Sequence, residues 1–405
     1  LPEIRNPNLQ TQGPGGGGGS GSGGGDMRVM LGLTLVALLA VTAFQYFKPK
    51  PAEPLPAQQM RTQSSPMAPA APGSGQTPPG GKAGATAAPQ LPAIAAASET
   101  ETTVENEFYK ITFTNRGGQV KRWILKRYYD SGGVGAGHNL DMVQQEAAAR
   151  FGYPLSLFTY DATLTSQLNS ALYKVSADGD AAANGSYLAP ASLTFHYSGN
   201  GLDVLKTFRF DASYVVGIET EVKRNGEPVR ALVEWPAGLG DMEEFGGSRF
   251  KSASGSVRTS AASQFVWSID GKLDTLAAPK VSNNATLYQP FQYAAISDLY
   301  FAAAFLPEVP ARSSVVTLHN SVDLPTDLSD PNSQKRPADM IGFAMGDASG
   351  TTRLRLYAGP KAMDTLTSIH AIGGDGTPTG QSLEPLIQFG WLTIIAKPLY
   401  LALRF

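Results

Sequence analysis

About 19 consecutive residues without a charge, Val29 to Phe47 (VMLGLTLVALLAVTAFQYF), constrain this chain more than any other stretch. As a helix rising 1.5 Å per residue they reach roughly 28 Å, close to the thickness of a bilayer's hydrocarbon core. The competing reading is a cleaved signal peptide. Such peptides sit at the extreme N-terminus and have a shorter apolar run that ends in small residues. Here some 25 residues come first, and the run ends in the bulky side chains of Phe44, Tyr46 and Phe47, which suit headgroup depth. The expectation is an uncleaved transmembrane helix over 27–47. Arg5 and Arg28 before it are offset by Glu3 and Asp26, and Lys48 and Lys50 follow it, so the positive-inside rule leaves its direction open.

The flanks are of a different kind. Residues 1–26 are a glycine- and serine-rich tail, and 48–103 are rich in proline and alanine, with few charges and no apolar periodicity. Such segments bury too little surface to offset their ordering entropy. The second is therefore expected to be a disordered tether, with an end-to-end distance of roughly 40 Å. Charged residues are 16% of the chain, against about 25% in ordinary soluble domains. The net charge of -2 gives no electrostatic footprint for nucleic acid. With no cysteine at all, disulfides, thiolate chemistry and cysteine-held zinc are excluded.

From Val104 the pattern is that of β structure. Phe108 to Phe113 opens it, Arg116-Gly117-Gly118 reads as a turn, and Val120 to Leu125 as a second strand. Between Tyr214 and Trp235, the residues Val216, Ile218, Thr220 and Val222 fall on one face with a period of two. Asn225-Gly226 follows as a primed-turn dipeptide, and Val229, Ala231, Val233 and Trp235 alternate again, which predicts a hairpin. Further strands are predicted at Leu202–Phe210, Gln264–Ile269, Tyr300–Leu306, Val315–Leu318 and Arg353–Tyr357, with one helix over Lys361 to Ile369. Many short strands separated by turns indicate a sandwich of antiparallel sheets over 104–382.

The last segment, 383–405, is apolar but differs from the first. Thr393, Lys397 and Arg404 share one helical stripe with Gly390, while leucines and isoleucines fill the rest. A central Lys397 is costly in a spanning helix, and Pro398 removes a backbone donor. A helix lying in the membrane interface, with Trp391 and Tyr400 at headgroup depth, fits this pattern. Amphipathicity alone also fits a helix packed on the domain. Because the chain begins at Leu1 and ends inside this pattern, it is expected to be part of a longer protein.

Few residues suggest covalent or metal chemistry. His138, His196, His319 and His370 share no HxxxH or HxH spacing, so no metal site is expected from them. The glycine run Gly132 to Gly137 lacks the phosphate-loop pattern and its Lys-Ser/Thr. Glu243-Glu244 is the one carboxylate pair that suggests a sugar enzyme. Adjacent residues do not span a substrate as general acid and base must, and a solvated loop is the simpler reading. No G-x-S-x-G elbow is present.

Four blocks occur in one order: VENEFYKITFTNRGGQVKRWIL (Val104–Leu125), SDLYFAAAFLPE (Ser297–Glu308), LRLYAGPKAMDTL (Leu354–Leu366) and FGWLTIIAKPLYLALRF (Phe389–Phe405). Together with the anchor and tether, they resemble the bacterial YidC membrane-protein insertase family in its Gram-negative form. The resemblance implies a first helix running from cytoplasm to periplasm and a mainly β, galactose-mutarotase-like β-supersandwich in the periplasm. It also implies an interfacial helix leading to a second transmembrane helix beyond Phe405. The family's groove arginine lies in that next helix, so Arg404 is not it. The implied activity is that of a non-enzymatic insertase and chaperone of the inner membrane, which needs no cofactor. Its implied partners are the lipid bilayer, nascent inner-membrane proteins and the Sec translocon. Two alternatives remain: a membrane-anchored periplasmic carbohydrate-binding or carbohydrate-modifying protein, which needs a cleft with a carboxylate and an aromatic platform, and a generic envelope adaptor. The amphipathic C-terminal segment counts against the adaptor.

Overall fold

The structure, a computed structural model, describes residues 93–129, 137–241, 263–325, 332, 334–373 and 377–387. The expected tail, transmembrane helix, most of the tether and residues 388–405 of the expected interfacial helix lie outside these residues. The first residues of that expected helix, 383–387, instead form a short 3-10 turn, Glu384–Leu386, that packs Leu383 and Leu386 into the domain core. Among the described residues no helix is long and apolar enough to cross a membrane.

In chain order the first strands are β1 (Glu101–Glu105), β2 (Tyr109–Thr114), β3 (Gln119–Tyr129), β4 (Asn139–Asp141), β5 (Ser156–Phe158), β6 (Lys174–Ala181) and β7 (Tyr187–Gly199). There follow β8 (Leu202–Phe210), β9 (Val215–Arg224), β10 (Glu227–Pro228), β11 (Leu232–Trp235), β12 (Gln264–Ile269), β13 (Lys272–Ala277) and β14 (Ala285–Tyr288). The last are β15 (Tyr293–Ser297), β16 (Phe301–Pro307), β17 (Ser313–Pro325), β18 (Lys335–Asp347), β19 (Thr352–Pro360), β20 (His370–Ile372) and β21 (Pro378–Ser382). Among the described residues three short α-helices interrupt them: α1 (Gln145–Phe151), α2 (Ala162–Ser170) and α3 (Met363–Ser368).

The expected mainly β supersandwich forms from two sheets. The larger has 14 strands among the described residues, in the order β13-β12-β15-β16-β19-β9-β8-β7-β1-β2-β3-β4, with β10 on β9 and β6 on β7. The smaller runs β14-β17-β18-β11-β5, and β20-β21 form a separate pair. Alternation explains the inner faces: Val216, Ile218, Thr220 and Val222 of β9 are all buried, as are Leu202, Val204, Phe208 and Phe210 of β8. The sheets meet through large rings. Phe343 of β18 lies 5.0 Å from Phe305 of β16 and 5.7 Å from Phe265 of β12. At the other end Trp123 of β3 lies 6.1 Å from Trp235 of β11. Leu366 of α3, with Leu383 and Leu386, joins the same core.

The predicted hairpin forms only in part. Asn225 and Gly226 turn with φ of +53° and +87°, but only β10 pairs back onto β9. Leu232–Trp235 leaves for the smaller sheet and pairs with β18 and β5. A period of two specifies which face is buried, not which neighbour is bonded. Pairing also begins ahead of Val104. β1 starts at Glu101 because it is bonded to β2 on one side and β7 on the other, and Ile94 exchanges two 2.8 Å backbone bonds with Ser198.

Candidate functional site

The interface residues expected from sequence, namely Phe44, Tyr46, Phe47, Trp391, Lys397, Pro398, Tyr400 and Arg404, all lie outside the described residues, as does Glu243-Glu244. The histidines are scattered: His196 pairs with Asp203 at 2.9 Å and His319 with Asp339 at 3.0 Å. No three His, Asp or Glu side chains gather to hold a metal among the described residues. Three other constellations stand out.

The first is a lysine in an apolar register. Lys206 takes an inward position of β8, between Val204 and Phe208, and is fully buried. Its Nζ donates to the carbonyls of Gly117 (2.8 Å), Gly118 (2.7 Å) and Leu155 (2.6 Å). All three acceptors have left-handed backbone, with φ of +69°, +55° and +65°. For Leu155 that conformation is costly, and its carbonyl is one of those aimed at the ammonium. Glu234 of β11, also buried, accepts from Ser156 Oγ at 2.6 Å. Burial pulls Lys206 down to about 7 while Glu234 opposes it. Burial pushes Glu234 up to about 7, against the Ser156 hydrogen bond and the Lys206 charge. Three acceptors require all three N–H groups of an ammonium, so the geometry holds Lys206 protonated. This cradle ties the turn at Gly117-Gly118 and the approach to β5 onto the larger sheet, a structural role.

The second is an open cleft of about 330 Å³ lined by Tyr128, Tyr129, Asp241, Tyr300, Phe301 and Lys361, among others. Tyr128 stands edge-on to Phe301 at 5.5 Å. Tyr129 and Tyr300 are 64% and 48% exposed, and the neighbouring Leu299 is 52% exposed. The turn that carries Leu299 and Tyr300 is tightly braced. Asp298 Oδ1 accepts from the Tyr300 and Phe301 amides (2.9 and 2.7 Å), and the Asp298 amide donates to the Phe301 carbonyl at 3.1 Å. Lys361 donates from its amide to the Tyr300 carbonyl (2.7 Å) and from Nζ to the Asp298 carbonyl (2.7 Å). Asp241, the one carboxylate among the described residues that line the cleft, is only 5% exposed. The described residues therefore do not assemble the two-group geometry of a sugar enzyme there.

Burial pushes Asp298 up to about 6, against its backbone hydrogen bonds and the Lys361 charge. A carboxyl whose folded value is raised holds its proton more tightly in the native state. The associated stability is complete below the ordinary value of 3.8 and is lost as pH rises through about 6. Asp298→Asn keeps the oxygen that accepts the two amides but cannot ionise. Its stability relative to the parent chain should rise by roughly 2–3 kcal/mol between pH 4 and pH 7. Urea titrations at the two pH values measure this.

The third is a stack in which the Arg230 guanidinium lies 5.0 Å from the ring centroids of both Tyr160 and Tyr288. Nη1 donates to the Tyr288 hydroxyl at 2.9 Å and Nη2 to Ser314 Oγ at 2.6 Å. Tyr160 also meets Phe158 edge-on, and Phe158 packs on the apolar cluster of Leu232, Val316, Leu318 and Ala344. The stack therefore finishes that side of the smaller sheet. The hydrogen bond from Arg230 holds the Tyr288 phenol below its ordinary value. Arg230→Met should return that phenol toward the usual tyrosine range, which ultraviolet pH titration reads directly.

Of these, only Lys206 leaves a signal in sequence, as the one charged side chain at an inward position of a regular alternation. The cleft joins residues from positions 128 to 361, a juxtaposition that no local pattern encodes.

The sequence pattern of the YidC periplasmic domain matches residues 101–402. The chain is 28% identical over 378 residues to the membrane protein insertase YidC of Pelobacter propionicus, covering 92% of this chain and 62% of that protein. It is 27% identical over 307 residues to the membrane protein insertase YidC of Geobacter sulfurreducens, covering 73% of this chain and 50% of that protein. It thus spans between half and two thirds of these relatives. Among solved structures, YidC from Thermotoga maritima aligns with a TM-score of 0.26 at 11% identity, covering 69% of this chain and 54% of that one. A galactose mutarotase-like protein from Lactobacillus casei aligns with a TM-score of 0.38 at 11% identity, covering 64% of this chain and all of that one.

Proposed function

This chain belongs to the YidC periplasmic domain family, and from that premise we propose that it is the anchored N-terminal part of a membrane-protein insertase. The observation that carries the proposal is the family pattern running through 101–402, collinear with an apolar span at Val29–Phe47. In this reading the first helix enters the inner membrane from the cytoplasm and the β domain lies in the periplasm. The segment 388–405, past the buried Leu383 and Leu386, then returns the chain to the bilayer surface.

The work done is transfer rather than covalent chemistry. A client helix gains free energy by leaving water for lipid, and the barrier is the desolvation of its polar groups and backbone ends. Insertion itself falls to spanning helices beyond Phe405, while the described domain docks and positions. Nascent inner-membrane proteins and components of the Sec translocon are its partners in this account. A reconstitution tests it. Proteoliposomes holding the full-length gene product should protect the span of a single-pass client from protease, and empty liposomes should not. Equal protection in both overturns the proposal.

A further inference from the structure

Tyr129, Leu299 and Tyr300 are three of the most exposed large apolar side chains of the described domain; Tyr129 and Tyr300 line one cleft, and Leu299 precedes Tyr300 on the same turn. We propose that this edge, the Leu299–Tyr300 turn with Tyr129 across the cleft, rests on the phospholipid headgroup layer of the bilayer. The proposal depends on the reading that the domain is held at a membrane.

Chemistry, rigidity and position support it. Leucine beside tyrosine, with a second tyrosine across the cleft, suits the interface, where rings sit with the hydroxyl in the wet layer and the body in the apolar one. The turn is rigid, held at both backbone ends by Asp298 and Lys361, so presenting Leu299 to lipid costs little ordering entropy.

Position identifies the occupant. Lys361, bonded to Tyr300, lies two residues before α3. The carbonyl of Ile369, just past that helix, accepts from the Leu383 amide at 3.0 Å. No more than about 25 Å of structure therefore separates Tyr300 from Leu383, given 1.5 Å per helical residue. The chain then runs into Phe389–Phe405, whose amphipathic pattern suits the membrane interface. Three side chains are too small a patch to carry a free domain to a membrane. In a tethered domain the contact is intramolecular, and a weak contact is enough to set orientation.

Residues 1–405 hold no cysteine; with any cysteine elsewhere in the full-length protein replaced by serine, Leu299→Cys is labelled with an environment-sensitive fluorophore and reconstituted with headgroup-nitroxide lipids, with iodide present on both faces. Leu188→Cys, an exposed position on β7, is the comparison. The proposal expects at least twofold stronger lipid quenching at 299 than at 188, together with weaker iodide quenching at 299. Equal lipid quenching at the two positions overturns it. Shielding from iodide without lipid quenching also overturns it, because the edge is then covered by protein. Client insertion is scored in the same proteoliposomes. Insertion without lipid quenching at 299 rejects this contact and leaves the insertase reading standing; quenching without insertion does the reverse.

Discussion

Replacing Lys206 by methionine is expected to lower the unfolding free energy by about 3–5 kcal/mol, the usual consequence of removing one partner from a buried charged arrangement. The substitution nearly conserves volume, so packing is not the main loss. What goes is the ammonium on which the Gly117, Gly118 and Leu155 carbonyls converge, leaving buried acceptors without that donor. It also leaves Glu234 buried, with Ser156 Oγ still donating to it but no cation nearby. Adding Glu234→Gln removes that stranded carboxyl and keeps an oxygen for Ser156. The double variant should therefore be more stable than Lys206→Met alone, a non-additivity expected of coupled neighbours. Chemical denaturation of the parent chain, each single variant (Lys206→Met and Glu234→Gln) and the double variant measures this. A Lys206→Met variant as stable as the parent chain would show that the cradle contributes nothing.

Trp235→Ala is expected to cost about 3–5 kcal/mol, in the range of large aromatic deletions from a core. Trp235 belongs to β11, the strand that crosses between sheets, and its ring packs against Trp123 of β3. Its Nε1 also donates to the Gly238 carbonyl at 2.7 Å, bracing the chain as it leaves the strand. Trp235→Phe should recover most of the packing but not this bond, costing about 1–3 kcal/mol. Thermal unfolding followed by circular dichroism separates the two. Equal losses for alanine and phenylalanine would place the whole effect in the hydrogen bond.

Much of the fold can be read from local alternation, because an antiparallel strand with one buried face writes its register into the sequence. β8 and β12 form over the predicted residues Leu202–Phe210 and Gln264–Ile269, and the helix expected over Lys361 to Ile369 forms as Met363–Ser368. Alternation alone assigns β11 to the hairpin, wrongly, because its pattern continues in phase from β9 while its partners lie in another sheet. Helices α1 and α2 leave little periodic signal because they are short and depend on caps more than on an apolar stripe. Gln144 accepts from the Ala147 amide, and Asp161 accepts from the Thr163 and Leu164 amides. Lys206 is visible as an exception to a pattern, yet its three carbonyl partners depend on backbone conformations that only the folded chain reveals. The aromatic cleft is not legible at all, since Tyr129, Asp241, Tyr300 and Lys361 meet only in three dimensions.

The proposed role as the anchored, periplasmic-domain portion of an insertase can be scored in bacterial cells depleted of their own insertase and supplied with the full-length gene encoding this chain. A single-span inner-membrane client should then regain its membrane-inserted, protease-protected form. If the protein reaches the inner membrane in normal amounts and the client still stays uninserted, that role is ruled out.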